Sequence, residues 1–183
     1  MKKFLKWFLI IVAILGLGLF GGYKYMISST KKHSPESTVQ MQKDGLELEV
    51  FYNRPYKKGR EIFGNLVPYG IVWRTGANEA TTFETNKDLI IDGKKLAAGK
   101  YSIFTIPKEN SWDVIFNSKM YNWGVKGPGK SSINRKYDAL IATVDVVKTT
   151  DSVEQFTISF DETPQVALVL QWDQTKIVVP INQ

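Results

Sequence analysis

The chain has 183 residues, enough for one ordinary domain and an appendage, and a formal net charge of +6. The excess charge lies in residues 1–35, which hold six lysines and no acid, while the remaining 18 Lys and Arg are balanced by all 18 Asp and Glu. Such a neutral domain, without a basic stripe, argues against nucleic acid as a partner, and the absence of cysteine excludes disulfides, thiolate metal sites and cysteine nucleophiles.

The first element is apolar. Trp7 to Tyr23 is a run of seventeen uncharged residues, and counted from Phe4 to Tyr25 a helix here would be about 33 Å long, enough to cross a hydrocarbon core. Ten of the residues from Phe8 to Phe20 are Leu, Ile, Phe or Val; together they contribute about −3 to −6 kcal/mol to insertion. Lys6 is placed to snorkel, and Trp7, Tyr23 and Tyr25 fall at the interfaces. A cleaved signal peptide shares the Lys2-Lys3 start, but no A-x-A-like site follows the apolar run. Residues 1–25 are therefore read as an uncleaved, single-pass transmembrane signal-anchor. The short lysine-bearing end stays inside, and the C-terminal domain lies outside the cytoplasm, periplasmic or at the surface. Gly18 and Gly22 form a G-x-x-x-G pair, which chance glycine explains equally well.

Residues 26–40 are polar and include Pro35 and the only histidine, His33; they read as an extended linker. With that histidine outside the domain, a Ser-His-Asp relay or a histidine-ligated metal cannot form within it. No D-x-D-x-D-G loop is present either, so neither metal nor cofactor is expected.

From about residue 41 to 183, period-two alternation recurs: Leu46, Leu48, Val50 and Tyr52; Trp112, Val114 and Phe116; Phe156, Ile158 and Phe160; Val166, Leu168, Leu170 and Trp172. Turn signals separate these runs at Asp44-Gly45, Asp92-Gly93, Gly127-Pro128-Gly129, Glu162-Thr163-Pro164 and Asp173-Gln174. About ten short strands without alternating helices predict an all-β domain, an antiparallel β-sandwich or jelly-roll-like fold behind the transmembrane helix. Trp73, Trp112, Trp123 and Trp172 are expected to pack rather than to form a binding platform.

The run from Tyr52 to Thr81, YNRPYKKGREIFGNLVPYGIVWRTGANEAT, resembles the bacterial family known as domain of unknown function 2911. The likeness continues through Leu96 to Pro107, the Trp112 strand with Asn117, Trp123-Gly124 and the closing Trp172 to Ile181 stretch. It implies an envelope-associated β-rich domain and brings no activity or catalytic residues with it. Members commonly follow the Trp-Gly with a tyrosine-rich turn and a Leu-Arg-Val strand; here Val125 to Lys136 is a Gly/Lys/Ser loop, and Ile141 stands in the arginine's place.

Three groups of residues are candidates for chemistry. Arg74, Asn78 and Glu79 flank Gly76 at a bend, where an arginine fork, an amide and a carboxylate could grip a carboxylate or a sugar hydroxyl pair; an Arg74–Glu79 ion pair with Asn78 completing the turn is the structural alternative. Arg54 and Arg60, with Lys57 and Lys58, form a basic turn after Pro55 that is either solvated or an anion site. Gly124 to Ser131 satisfies G-x-x-x-x-G-K-S, but the surroundings are hairpin-like and Pro128 removes one donor N–H. The leading expectation is a membrane-tethered, non-catalytic binding or interaction module of the bacterial envelope. Its ligand would be a small polar molecule, a glycan or another envelope protein. A carboxylate-based hydrolase using Glu79 and a nucleotide-binding Gly124–Ser131 loop are the alternatives.

Lysine at Ile11 and Leu15 together costs about +2.5 to +3.5 kcal/mol per central charge and cancels the insertion energy. The I11K/L15K chain is expected as folded domain in the soluble fraction after membranes are pelleted. Protease added outside spheroplasts should trim the wild-type domain.

Overall fold

The computed structural model describes residues 2–127 and 129–183, and the chain divides after His33 into two units. The first is one helix, α1 (Lys2–His33). It is long and apolar enough to cross a membrane, which suits an anchor or a signal sequence alike. Phe4, Trp7, Leu17 and Leu19 on it are exposed. The helix is longer than its apolar stretch. Residues 26–33, expected as part of an extended linker, continue it: Thr30 Oγ1 bonds Ile27 O at 2.8 Å and His33 Nδ1 approaches Ser29 O at 2.9 Å. Lys31, Lys32 and His33 occupy the last turn, where cations complement the helix dipole. Pro35 then disfavours helix at Ser34, and the second unit follows at once.

That unit holds eleven strands among the described residues: β1 (Glu36–Lys43), β2 (Leu46–Asn53), β3 (Thr81–Thr85), β4 (Leu89–Ile91), β5 (Lys94–Leu96), β6 (Gly99–Pro107), β7 (Ser111–Asn117), β8 (Val125–Gly127), β9 (Lys130–Ser131), β10 (Asp138–Asp161) and β11 (Ala167–Pro180). All pairings are antiparallel, so the all-β class is observed. The sandwich or jelly-roll outline takes the form of one curled seven-stranded sheet, ordered β1-β2-β3-β6-β7-β10-β11, with β4–β5 and β8–β9 as separate hairpins. Two Asp-Gly turns behave as their residue types require. Asp44 and Gly45, and Asp92 and Gly93, all have positive φ, which closes two-residue hairpins between β1 and β2 and between β4 and β5.

The last two strands are not short. β10 runs 24 residues, pairing first with β7 and then with β11. The Asp173-Gln174 signal does not end β11: Asp173 keeps a φ of 52° within the strand and pairs with Val153, while register shifts on either side leave extra residues of β10, 149–152 and 154–156, bulged out of the ladder. The segment leaving β2 then reaches the far half of β10. Lys57 N donates to Glu154 O at 2.7 Å, and Phe156 N donates to Pro55 O at 2.9 Å.

Inside the curl lies an aromatic cluster. Trp73 stacks on Trp172 with centroids 5.9 Å apart and meets Phe156 edge-on at 5.0 Å, while Phe63 contacts Trp112 at 4.8 Å. Such pairs contribute about 0.5–1.5 kcal/mol each beyond the area they bury. Tyr52 Oη donates to Ile158 O and accepts from Ile158 N, tying β2 to β10 through the core. β6 and β7 are covered on both faces: Phe104 and Ile115 point away from the aromatic cluster into a second small core with Ala80, flanked by Tyr121 and Ile133. The loops carrying Tyr121 and Ile133 therefore pack on the outer face of the sheet.

The bulge is fastened by Lys57, whose Nζ lies 2.5 Å from Asp173 Oδ1, and by Ser152 Oγ at 2.8 Å from the same oxygen. Burial pushes the Asp173 carboxyl up, but the bonds from Lys57 and Ser152, the Lys57 charge and the Gln174 N–H outweigh it, leaving the group below its ordinary value. A depressed carboxyl contributes stability that is fully present above its unfolded pKa, about 3.9, and is lost as pH falls through the folded value. Asp173→Asn keeps a residue that tolerates positive φ. It should cost about 1–2 kcal/mol at pH 7. The difference from wild type should shrink toward zero near pH 2 in urea denaturation.

Candidate functional site

Two loops on the outer side of the sheet carry the polar side chains of interest, and each is organised by a fully buried asparagine. The first runs from Trp73 to Thr81. Trp73 and Thr105 exchange backbone bonds of 2.7 and 3.0 Å, which fasten the start of the loop to β6. Thr75, fully buried at a φ of 57°, is a strained β-branched residue; its hydroxyl lies 3.1 Å from Thr105 Oγ1, and its carbonyl accepts from Thr81 Oγ1 at 2.6 Å. Gly76 follows at a φ of 137°, where a Cβ would lie 2.8 Å from Asn53 O. Asn53, at the end of β2, is the hub. Its amide donates to Glu79 Oε2 at 3.1 Å, and its Oδ1 accepts from Asn78 Nδ2 at 3.3 Å.

Three of the five residues singled out from the sequence, Arg74, Asn78 and Glu79, belong to this loop. Arg74 Nε donates to Gly76 O at 3.3 Å. Burial pulls its guanidinium below the ordinary arginine range. Asn78 is buried at a φ of 54° and reaches Asn53 and Ser34 O. The other two lie elsewhere. Arg54 is directed to β10, where its guanidinium donates to Phe156 O and Thr157 Oγ1. Arg60 is exposed and folds back onto the carbonyls of Tyr56 and Lys57. The five do not come together as one group.

The second loop runs from Ser118 to Tyr137 and is organised by Asn117, at the end of β7. Its Nδ2 donates to Asn134 O at 3.0 Å and Asp138 Oδ1 at 2.8 Å, and its Oδ1 accepts from Lys119 N at 3.1 Å and Tyr121 Oη at 3.2 Å. Tyr121 Oη in turn accepts from Asn134 N at 2.7 Å. One buried amide thus fixes both ends of the loop. Its middle is the β8–β9 hairpin, so Gly124 to Ser131 is not a phosphate loop: strand pairs with strand, and a three-residue 3-10 turn (Arg135–Tyr137) follows where a helix would be required. Pro128 lies outside the described residues. Gly124 N is also committed, donating to Asn78 O at 2.9 Å, while Gly124 O accepts from Ser132 N at 3.0 Å.

That bond joins the two loops. Gly124 lies against the Arg74 side chain so closely that a Cβ would fall 2.6 Å from Arg74 Cβ and Cδ. Beside the junction is an open cleft of about 350 Å³ whose lining includes Lys119, Tyr121, Asn122, Trp123, Lys126 and Asn134. No carboxylate lines it, and Glu79 is not part of it. Lys119 Nζ lies 5.6 Å from the Tyr121 ring centroid and 5.5 Å from that of Tyr137, so two aromatic faces hold the ammonium. Trp123 is half-buried, with its carbonyl bound by Ser132 Oγ at 2.5 Å, whereas Trp112 and Trp172 are core residues. Sequence reasoning treated Trp123 as packing, weighed Lys126 only within the Gly124–Ser131 loop, and passed over Lys119 and Asn122. The available signal was the density of aromatic, amide and lysine residues in Lys-Met-Tyr-Asn-Trp-Gly, residues 119–124.

Curled antiparallel sheet, buried asparagine hubs and an outer loop pair define an all-β domain carried behind one apolar helix. Residues 34–181 match the family described as "Protein of unknown function (DUF2911)", and the chain belongs to that family. No curated protein and no solved structure matches.

Gly124→Ala is expected to force the two loops apart and cost about 1–3 kcal/mol. Gly127→Ala, where the added methyl meets open space, should stay within about 0.5 kcal/mol of wild type. Thermal denaturation of the two variants side by side checks this.

Proposed function

We propose that this chain is a membrane-tethered, non-catalytic binding module of the bacterial envelope, with α1 as the anchor and the domain outside the cytoplasm. Its ligand is a small polar molecule or glycan held in the cleft beside Trp123. The observation that carries the reading is the make-up of that cleft: an aromatic ring, amides and two lysines, open to solvent, with the loop bearing them fixed in advance by Asn117. Preformed polar clefts with aromatic walls suit ligand capture. Glycoside hydrolysis would need a pair of carboxylates across the cleft, and its lining has none. Glu79, the acid of the hydrolase alternative, accepts the Asn53 amide in the neighbouring loop.

Full-chain protein in phosphatidylcholine nanodiscs should bind at least one member of a panel of neutral sugars, sugar acids and amino acids, measured by calorimetry. Trp123→Ala should weaken that binding about tenfold or more. Turnover of ester, glycoside or phosphoester substrates that Glu79→Gln abolishes would replace this reading with the hydrolase.

A further inference from the structure

We infer that the cleft takes a carboxylate-bearing saccharide, a uronic acid or a short acidic glycan; this rests on the cleft being the binding site proposed above. Between Asp113 and Asp138 the chain carries Lys119, Lys126, Lys130, Arg135 and Lys136 and no acid. The balance of the domain as a whole conceals this local excess. Arg135 is taken up by Asp138, but Lys119 and Lys126 both line the cleft. Lys119 is held over two phenol rings, so less side-chain freedom is lost when its ammonium meets an anion. With no carboxylate in the lining, an incoming anion meets no like charge there.

Charge alone would define a generic anion site. The cleft adds the half-buried indole of Trp123 and the exposed amide of Asn122. An aromatic face carries negative quadrupole density that attracts the C–H face of a pyranose. A carboxamide offers both donor and acceptor to a hydroxyl pair. A uronic acid matches all three features at once: carboxylate to ammonium, ring face to indole, hydroxyls to amide. The volume of about 350 Å³ lies at the small end of ligand clefts, roughly 300–1,000 Å³, which favours one or two sugar rings. Inorganic phosphate or a lipid headgroup would engage the lysines and leave the indole unused.

The test titrates full-chain protein in phosphatidylcholine nanodiscs with glucuronate, glucose and inorganic phosphate, and repeats the glucuronate titration in phosphatidylglycerol nanodiscs. Glucuronate should bind about tenfold tighter than either glucose or phosphate. Lys126→Gln, at an exposed position where folding is not at issue, should weaken glucuronate about three- to tenfold, as should Lys119→Gln, each by a larger factor than it weakens glucose. Trp123→Ala should weaken both sugars. Equal affinity for glucose and glucuronate overturns the acidic class but leaves the binding module standing. Phosphate binding as tightly as glucuronate, or loss of glucuronate binding in the phosphatidylglycerol bilayer, assigns the lysines to phosphate groups and overturns it. Glucuronate binding indifferent to both lysine variants overturns it too, as does silence toward all three probes. Failure of the underlying reading requires silence across the wider panel.

Discussion

Most of the domain depends on the requirement that β10 satisfy its backbone along 24 residues. Its first third is paired with β7, its remainder with β11, and the exit of β2 is bonded to its far half. No straight strand meets those demands at once. The bend falls where β10 bulges opposite Asp173 and is fastened by Lys57 and Ser152. Curling brings Trp73, Trp112, Trp172 and Phe156 within ring contact, so the aromatic core is a product of the curvature as well as its stabiliser. Trp112 Nε1 is buried without a hydrogen-bond partner among the described residues, whereas Trp172 Nε1 donates to Glu154 O.

What was legible in the sequence was local. Asp44-Gly45 and Asp92-Gly93 dictate their hairpins because both positions need positive φ, and the alternation of Leu46, Leu48, Val50 and Tyr52 names the buried face of β2 correctly. The apolar helix announced itself by length. Legibility failed where a residue's role is set by distant partners. Asp173 resembles a turn residue, yet β11 runs on through it because β10 lies alongside and bulges opposite. Residues 26–33 look like linker by polarity, yet an established helix propagates through them until Pro35 ends it. Ile115 lies on the face opposite Val114 and Phe116 and is buried all the same, because the outer loops cover that side.

The candidate site shows the same division. Arg74, Asn78 and Glu79 share one loop, but what ties Asn78 to Glu79 is Asn53, more than twenty positions earlier. Arg54 and Arg60 carry the same charge as Arg74, yet one is spent on β10 carbonyl and hydroxyl oxygens and the other on its own turn. Asn117 and Asn53 are ordinary amides by type. Their importance comes from complete burial, which obliges every donor and acceptor to find a partner and thereby fixes the loops above them. Charge was hidden by averaging: a domain neutral in total concentrates five cations in the segment that bears the cleft.

The way that segment is attached separates the residues that shape the cleft from those that hold the sheet. Asn117 and Tyr121 seat it on the sheet and Gly124 bonds it to the neighbouring loop, while exposed residues beside them such as Asn122 and Lys126 hold none of the seven-stranded ladder together. Exposed side chains such as Asn122 and Lys126 are therefore exchangeable without refolding the frame, whereas Tyr121 and Gly124 are not. A fixed frame with a replaceable lip lets the wall of the cleft change while the sheet stays as it is.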